Sequence, residues 1–320
     1  MSGVCVISVG NLTLGGTGKT PMVQYLARLL QQQGYQPAII SRGYGGATKE
    51  RINIVSDGKK IFLDANYVGD EPRMLAETLP GVFVLTGIVR KLPAAEAVKM
   101  GADVLLLDDG FQHLAIRRDL DIVLFNTDKL AGNSRVFPGG DLREPINALQ
   151  RCHAFVLTGT DEQNQERAEK FKELLNTKFP DKPVFFSQFQ ASGLVLQQAD
   201  GKKFPVQLEQ LANERCFAFC GIARPASFQQ TLNKLNIAPV AFRGLPDHFS
   251  YSAKTIRQLR ADAQRAKATC FLCTEKDLVK LRNIGLNLPL YGITMEAHPE
   301  DEFNKLILQH KSIQTTAERT

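Results

Sequence analysis

Apolar and polar positions along the chain fall into alternating blocks of two periods. Residues 4–10 form a short apolar run, a glycine-rich turn follows, and Met22, Tyr25, Leu26, Leu29 and Leu30 then recur at helical spacing across 21–33. Gly34 ends that helix and 36–41 supplies another strand, so the chain opens with a βαβ unit of the doubly wound type. The pattern predicts further strands at 82–86, 104–107, 122–125 and 154–158, with helices at 93–100 and 162–175. Such uninterrupted apolar strands belong in one parallel sheet covered on both faces by helices. Residues 129–145, rich in Gly, Pro, Arg and Asp and without periodicity, predict a long loop over the carboxyl edge of that sheet.

Past residue 182 the texture changes. Residues 184–189 and 194–198 read as two strands joined by a short turn, followed by the turn signal Asp200-Gly201. Strands at 216–220, 239–242, 270–273 and 288–293 then alternate with helices at 225–235, 252–267 and 300–311. The expected organisation is a first α/β domain over 1–182 and a second, smaller α/β domain over 183–320, with a β-stranded linker at its start.

Composition narrows the class. A chain of 320 residues, 43% hydrophobic and 22% charged, can bury the cores of two domains. No apolar run reaches the length of a membrane span, and the strand pattern starting at residue 4 leaves no room for a signal peptide, so a cytoplasmic location is expected. A formal net charge of +6 favours an anionic partner: a nucleotide, an anionic membrane surface or a nucleic acid. Nucleic acid falls away, because aromatics are sparse, Trp is absent and no Arg and aromatic residues interleave. The spacings Cys216-x3-Cys220 and Cys270-x2-Cys273 invite a metal reading. Both pairs lie in apolar strand-like runs, however, where residues four apart are roughly 13 Å apart and residues three apart face opposite ways. Buried, reduced cysteines are the expectation.

The strongest chemical signal is Gly15-Gly16-Thr17-Gly18-Lys19-Thr20, set between a predicted strand and a predicted helix as a P-loop requires. Its glycines let consecutive N–H groups face phosphates, Lys19 carries a charge to the β and γ groups, and Thr20 offers a hydroxyl to Mg²⁺. Thr13 stands where the strict pattern has glycine. A dinucleotide fingerprint is absent. A P-loop also needs an acid at the tip of a neighbouring strand, and Asp108-Asp109 after 104–107 supplies it; two adjacent carboxylates there call for a cation. Three more constellations have no role obvious from periodicity: Gly69-Asp70-Glu71-Pro72, Gly110-Phe111-Gln112-His113 and Pro246-Asp247-His248. Phosphoryl transfer to an alcohol needs a group that orients and deprotonates the hydroxyl, and a loop Asp paired with a loop His is apt for this.

The ordered series VGNLTLGGTGKTP, SRGYGG, GDEP, DDGFQH, LREP, PDHF and TEKD resembles the tetraacyldisaccharide 4'-kinase (lipid A 4'-kinase) family over about residues 4–295. The resemblance implies two α/β/α domains joined by a β-stranded linker and MgATP-dependent phosphorylation of the 4'-hydroxyl of a tetraacyldisaccharide 1-phosphate, a lipid-linked acceptor. Carried across by motif, Lys19 and Thr20 hold phosphates and Mg²⁺, Asp108 and Asp109 are the Mg²⁺ acids, and Asp70 is the catalytic base with His248 coupled to it across the two domains. Gln112 and His113 line the site, Arg143 and Glu144 contact the reacting groups, and Arg90 falls where a positive charge meets the transition state or a substrate phosphate. No obligate protein partner is implied. Two departures stand out: Asp141 replaces an expected proline before the LREP motif, and the amphipathic membrane-associating helix that opens family members does not precede the first strand. Either the start codon is misassigned or the chain reaches its lipid acceptor at the inner face of the membrane through its basic surface and the second domain.

Two other functions fit parts of the pattern. A kinase of a soluble sugar or other small alcohol would keep every catalytic motif. A regulatory or metallochaperone NTPase would read its base with an Asn-Lys-x-Asp motif, to which Thr274-Glu275-Lys276-Asp277 is close, with the Lys one place off.

Overall fold

The computed structural model describes residues 4–282 and 284–317. It divides into two units, Met1–Gln190 with Glu296–Thr320, and Ala191–Met295. In the first unit β1 (Cys5–Asn11) leads through the glycine-rich loop into α1 (Lys19–Gln32), then β2 (Pro37–Ser41) and β3 (Asn53–Asp57). The helices α2 (Ala65–Val68) and α3 (Asp70–Thr78) follow, then β4 (Phe83–Thr86), α4 (Lys91–Lys99), β5 (Val104–Asp108) and β6 (Leu120–Asn126). A short 3₁₀ turn precedes β7 (Ala154–Thr158), and α5 (Gln165–Lys178) leads to β8 (Val184–Gln197). Lateral order in the sheet runs β8, β7, β6, β1, β5, β2, β4, β3.

The period of two along each strand decides which face each side chain joins. Ile7, Val9, Ile39, Leu106, Leu124 and Val156 pack with Met22, Leu26 and Leu30 of α1 and with Leu75 of α3. Their neighbours Val6, Ala38, Ile40, Leu105 and Leu107 face the other way onto Ala94 and Ala97 of α4. On that opposite face Val123, Phe125, Phe155 and Leu157 meet Ala168 and Leu175 of α5. The result is the expected mainly parallel sheet with helices on both faces. One strand departs from the pattern: β3 pairs antiparallel with β4 at the sheet edge, with a bulge between Ile54 and Ser56.

The second unit holds β9 (Lys203–Val206), antiparallel to the end of β8, then β10 (Cys216–Cys220), α6 (Pro225–Lys234), β11 (Ala241–Gly244), α7 (Ala253–Arg265), β12 (Cys270–Thr274), α8 (Glu275–Leu278) and β13 (Leu290–Pro299). Strands β11, β10, β12 and β13 are parallel neighbours. Phe217, Phe219 and Phe271 face α7, whereas Ala218, Cys270 and Leu272 face α6. All six cysteines are buried and free, as their strand setting predicts; Cys216 and Cys270 lie opposite one another with their sulfurs 3.3 Å apart.

Two segments differ from the sequence reading. Val184–Gln197 is one strand rather than two; where a turn was expected, Thr294 Oγ1 hydrogen-bonds Ser192 Oγ at 2.9 Å and donates to Gly193 O at 3.0 Å. The final helices α9 (Asp301–Leu308) and α10 (Lys311–Ala317) belong to the first unit, where Ala297, Phe303, Ile307 and Ile313 enter the core beside α1. Phe303 sets its ring edge-on to Phe185, centroids 5.5 Å apart, and Asn304 accepts from Tyr25 Oη at 2.6 Å.

Candidate active site

Strand β1 lies between β5 and β6, and its carboxyl end delivers the chain into the loop that opens α1. Gly15 and Gly18 adopt φ values of 100° and 79°, a region that L side chains avoid. At Gly18 a Cβ would stand 1.9 Å from Phe189 Cζ, whereas Gly16 has nothing within 4 Å, leaving room there for a bound group. Gly18 caps α1 without any side chain to satisfy the first-turn N–H groups, and these with the helix dipole form a cradle that suits phosphate. The loop is pinned on both sides. Thr158 Oγ1 donates to Thr17 O at 2.8 Å; Leu14 N donates to Asp141 O and Arg143 N to Leu12 O, each at 2.7 Å. Thr13 bridges Leu142 in extended conformation, so this position of the loop does not need the glycine of the strict pattern.

Charged groups converge on this loop from three strand ends. Lys19 Nζ is 3.2 Å from Asn11 Oδ1 and 3.5 Å from Asp109 Oδ1. Arg143 Nη1 donates to both Asp109 oxygens at 2.8 and 2.9 Å and to Gln112 Oε1 at 3.3 Å, while Gln112 Nε2 donates to Asn11 O at 2.9 Å. Arg90, itself buried, donates to Asp109 O at 2.8 Å and supports the left-handed turn there, where φ is 52°. Asp108 ends β5 fully within the protein, with Ser41 Oγ 3.4 Å from Oδ2. Burial, then the nearby Glu71 and Asp109, pushes its carboxyl up to about 7 against the pull of Lys19 and Arg90. Burial also works to raise Asp109, but Lys19 and Arg143 outweigh it and hold that carboxyl below the usual range.

This donor set fits a hard divalent cation. Asp108 and Asp109 offer oxygen donors, and a bound cation would offset the burial and the neighbouring Glu71 and Asp109 that raise Asp108. Among the described residues no group of three or more His, Cys, Asp and Glu makes a ready metal cage. Thr20 lies in the first turn of α1, next to Lys19.

The remaining sequence candidates divide by location. His113 is kept neutral by burial and by the cations Arg90, Arg118 and Arg42, and its Nε2 is buried without a hydrogen-bond partner among the described residues. Glu144 pairs with Arg151, at 2.9 and 3.1 Å, whose guanidinium sits 4.6 Å over the Phe111 ring. Asp70, expected in a loop, is instead the first residue of α3, with Glu71 beside it in the first turn, where the helix dipole favours carboxylates. Gly69 admits that helix start closely, since a Cβ there would stand 2.4 Å from Tyr44 O. His248 lies in the second unit with φ 53°, its Nε2 3.4 Å from Lys276 Nζ. Asp277 of the TEKD motif is fully buried and accepts from Gly221 N, Tyr251 Oη and Thr274 Oγ1 at 3.1, 2.8 and 2.7 Å, a structural anchor with no oxygen left to read a base.

Sequence reasoning missed Asn11, which holds Lys19 and also donates to Thr13 O at 2.7 Å, and Glu71, which loads Asp108. The lone amide closing an apolar strand was the available signal for Asn11.

Comparison with known proteins agrees with this geometry. The chain matches the family model described as tetraacyldisaccharide-1-P 4'-kinase over residues 1–312. It is 45% identical over 307 residues to the tetraacyldisaccharide 4'-kinase of Desulfotalea psychrophila, covering 96% of this chain and 86% of that one. Identity to the enzyme of the same name from Syntrophus aciditrophicus is 41% over 315 residues, covering 95% and 83%. Among solved structures it is similar to the "apo" form of LpxK from Aquifex aeolicus in complex with ATP, with a TM-score of 0.75, 31% identity, and coverage of 96% of this chain and 88% of that one.

Proposed function

The chain belongs to the tetraacyldisaccharide-1-P 4'-kinase family, and from that premise we propose how its residues transfer the γ-phosphate of ATP to the 4'-hydroxyl of a tetraacyldisaccharide 1-phosphate in lipid A biosynthesis. The observation that carries the reading is the meeting of Lys19, Asp109 and Arg143 at the mouth of the glycine loop. A phosphoryl group bound there meets backbone donors and two cations, which is where charge builds as the γ-phosphorus parts from ADP.

Gly15, Gly16, Thr17 and Gly18 wrap the phosphates and Lys19 exchanges its contact with Asp109 for the β and γ oxygens. Thr20, Asp108 and Asp109 hold Mg²⁺, which neutralises phosphate charge when bound. Arg143 carries positive charge toward the transferring group, Gln112 fixes Arg143, and His113, being neutral, offers a hydrogen bond rather than a charge. Glu144 holds the same loop through Arg151. Asp70 takes the proton of the 4'-hydroxyl as the hydroxyl oxygen bonds to the γ-phosphorus and the bond to the β-phosphate oxygen breaks. Peripheral contact with the membrane follows from the lipid-borne acceptor.

The division of labour is tested by variants. Lys19→Ala is expected to weaken ATP binding and transfer together, whereas Asp70→Ala should lower kcat by about 10²-fold or more with ATP affinity retained. Asp70→Ala with most of its turnover intact would remove Asp70 from the role of base.

A further inference from the structure

Apolar side chains stand exposed on the loops that leave the carboxyl ends of β2, β4 and β5, the same edge of the first unit that carries Lys19 and Asp109. Tyr44 is 71% exposed, Ile88 66%, Val89 50% and Leu114 63%, and Ile52 and Tyr67 are exposed beside them. These loops touch one another. A Cβ on Gly87 would stand 2.5 Å from Arg51 O, and one on Gly69 would stand 2.4 Å from Tyr44 O; Thr48 N donates to Tyr67 O at 3.0 Å; Arg90, next to Val89, reaches Asp109 O at 2.8 Å at the root of the third loop. Single exposed apolar residues need no explanation, but five gathered on three adjoining loops, with Tyr67 of α2 beside them, do.

The charges interleaved with them are mostly positive. Across 42–52, 87–91 and 113–117 the exposed charged residues are Arg42, Lys49, Arg51, Lys91 and Arg117 against the single acid Glu50. Apolar tips among lysines and arginines are what an anionic bilayer surface attracts: the tips enter the headgroup boundary and the cations pair with lipid phosphates. We propose that this three-loop edge, with Ile88 and Val89 at its tip, is a docking face for an anionic lipid bilayer, holding the phosphoryl site against the surface that carries its acceptor. The proposal rests on the acceptor being lipid-borne. It commits to the bilayer rather than to a protein because apolar tips and cations alternate on loops around the site itself.

The test is sedimentation of the full chain with phosphatidylcholine vesicles with and without phosphatidylglycerol, beside transfer assays on acceptor held either in those vesicles or in detergent micelles. The wild type is expected to bind the anionic vesicles and to release them as salt rises. Ile88→Asp with Val89→Asp should lower vesicle binding at least about tenfold and slow transfer on vesicles, while ATP binding and transfer in micelles stay unchanged. Arg51→Glu with Lys91→Glu, surface changes that disturb no packing, should remove the preference for anionic lipid. Wild type that ignores anionic vesicles, or both double variants binding like wild type, overturns the docking face. So does a loss of transfer in micelles with vesicle binding intact, which would make the loops an acyl-chain site. Vesicle binding without any transfer in micelles would sink the kinase reading and leave the docking face standing.

Discussion

Asn11 shows how much a single side chain can organise. Its amide donates to Thr13 O and its oxygen receives Lys19, so one residue ties the shape of the glycine loop to the position of its charge. Asn11→Ala removes a hydrogen bond to a charged group and one to the buried loop, and ATP affinity should fall roughly tenfold, for a loss of about 1.5 kcal/mol; titration calorimetry checks this. The glycines, Lys19, Thr20 and Asp108-Asp109 were legible in the sequence because each performs a task that few residue types can perform. Glu71 and Phe189 were not, because their roles arise from neighbours distant in sequence: Phe189 reaches the space beside Gly18 from β8; Asn11, whose partners Thr13 and Lys19 are close in sequence, offered only a lone amide as its signal.

Elements were read correctly where period and length agreed, as in β1, α1, β5, β6 and β7, and missed where they were short. Gly69 and the acids after it suggest a loop, yet Asp70, Glu71 and Pro72 in the first turn of α3 are themselves helix-starting signals. The strand β3 escaped because a five-residue edge strand with a bulge carries little alternation. No local pattern could show that α9 returns to the first unit; only the packing of Phe303 against Phe185 and the α1 side of the core does so. Phe303→Ala should therefore cost about 3–5 kcal/mol in the unit that binds nucleotide, seen as an early thermal transition that MgATP shifts upward. In the second unit Asp277→Ala strands the Gly221 N–H, the Tyr251 hydroxyl and the Lys280 ammonium, 3.2 Å from Asp277 Oδ1. A loss of roughly 3–5 kcal/mol is expected, measured by denaturant unfolding; near-neutral behaviour would return the TEKD motif to a functional role.

At the scale of the whole molecule, the expected division at 182 and the observed units differ chiefly in the last helices, since β8 and β13 each run from one unit into the other. Among the described residues no helix is long and apolar enough to cross a membrane. The central claim is that the cluster of Lys19, Asp109 and Arg143 moves a phosphoryl group onto the lipid acceptor. Its most direct test is transfer of label from γ-labelled ATP to tetraacyldisaccharide 1-phosphate in detergent micelles, with Arg143→Ala run beside the wild type. A labelled bisphosphorylated lipid from the wild type, with turnover reduced about 10²-fold or more in Arg143→Ala, is the predicted result; no labelled lipid, or a variant as fast as wild type, would contradict it.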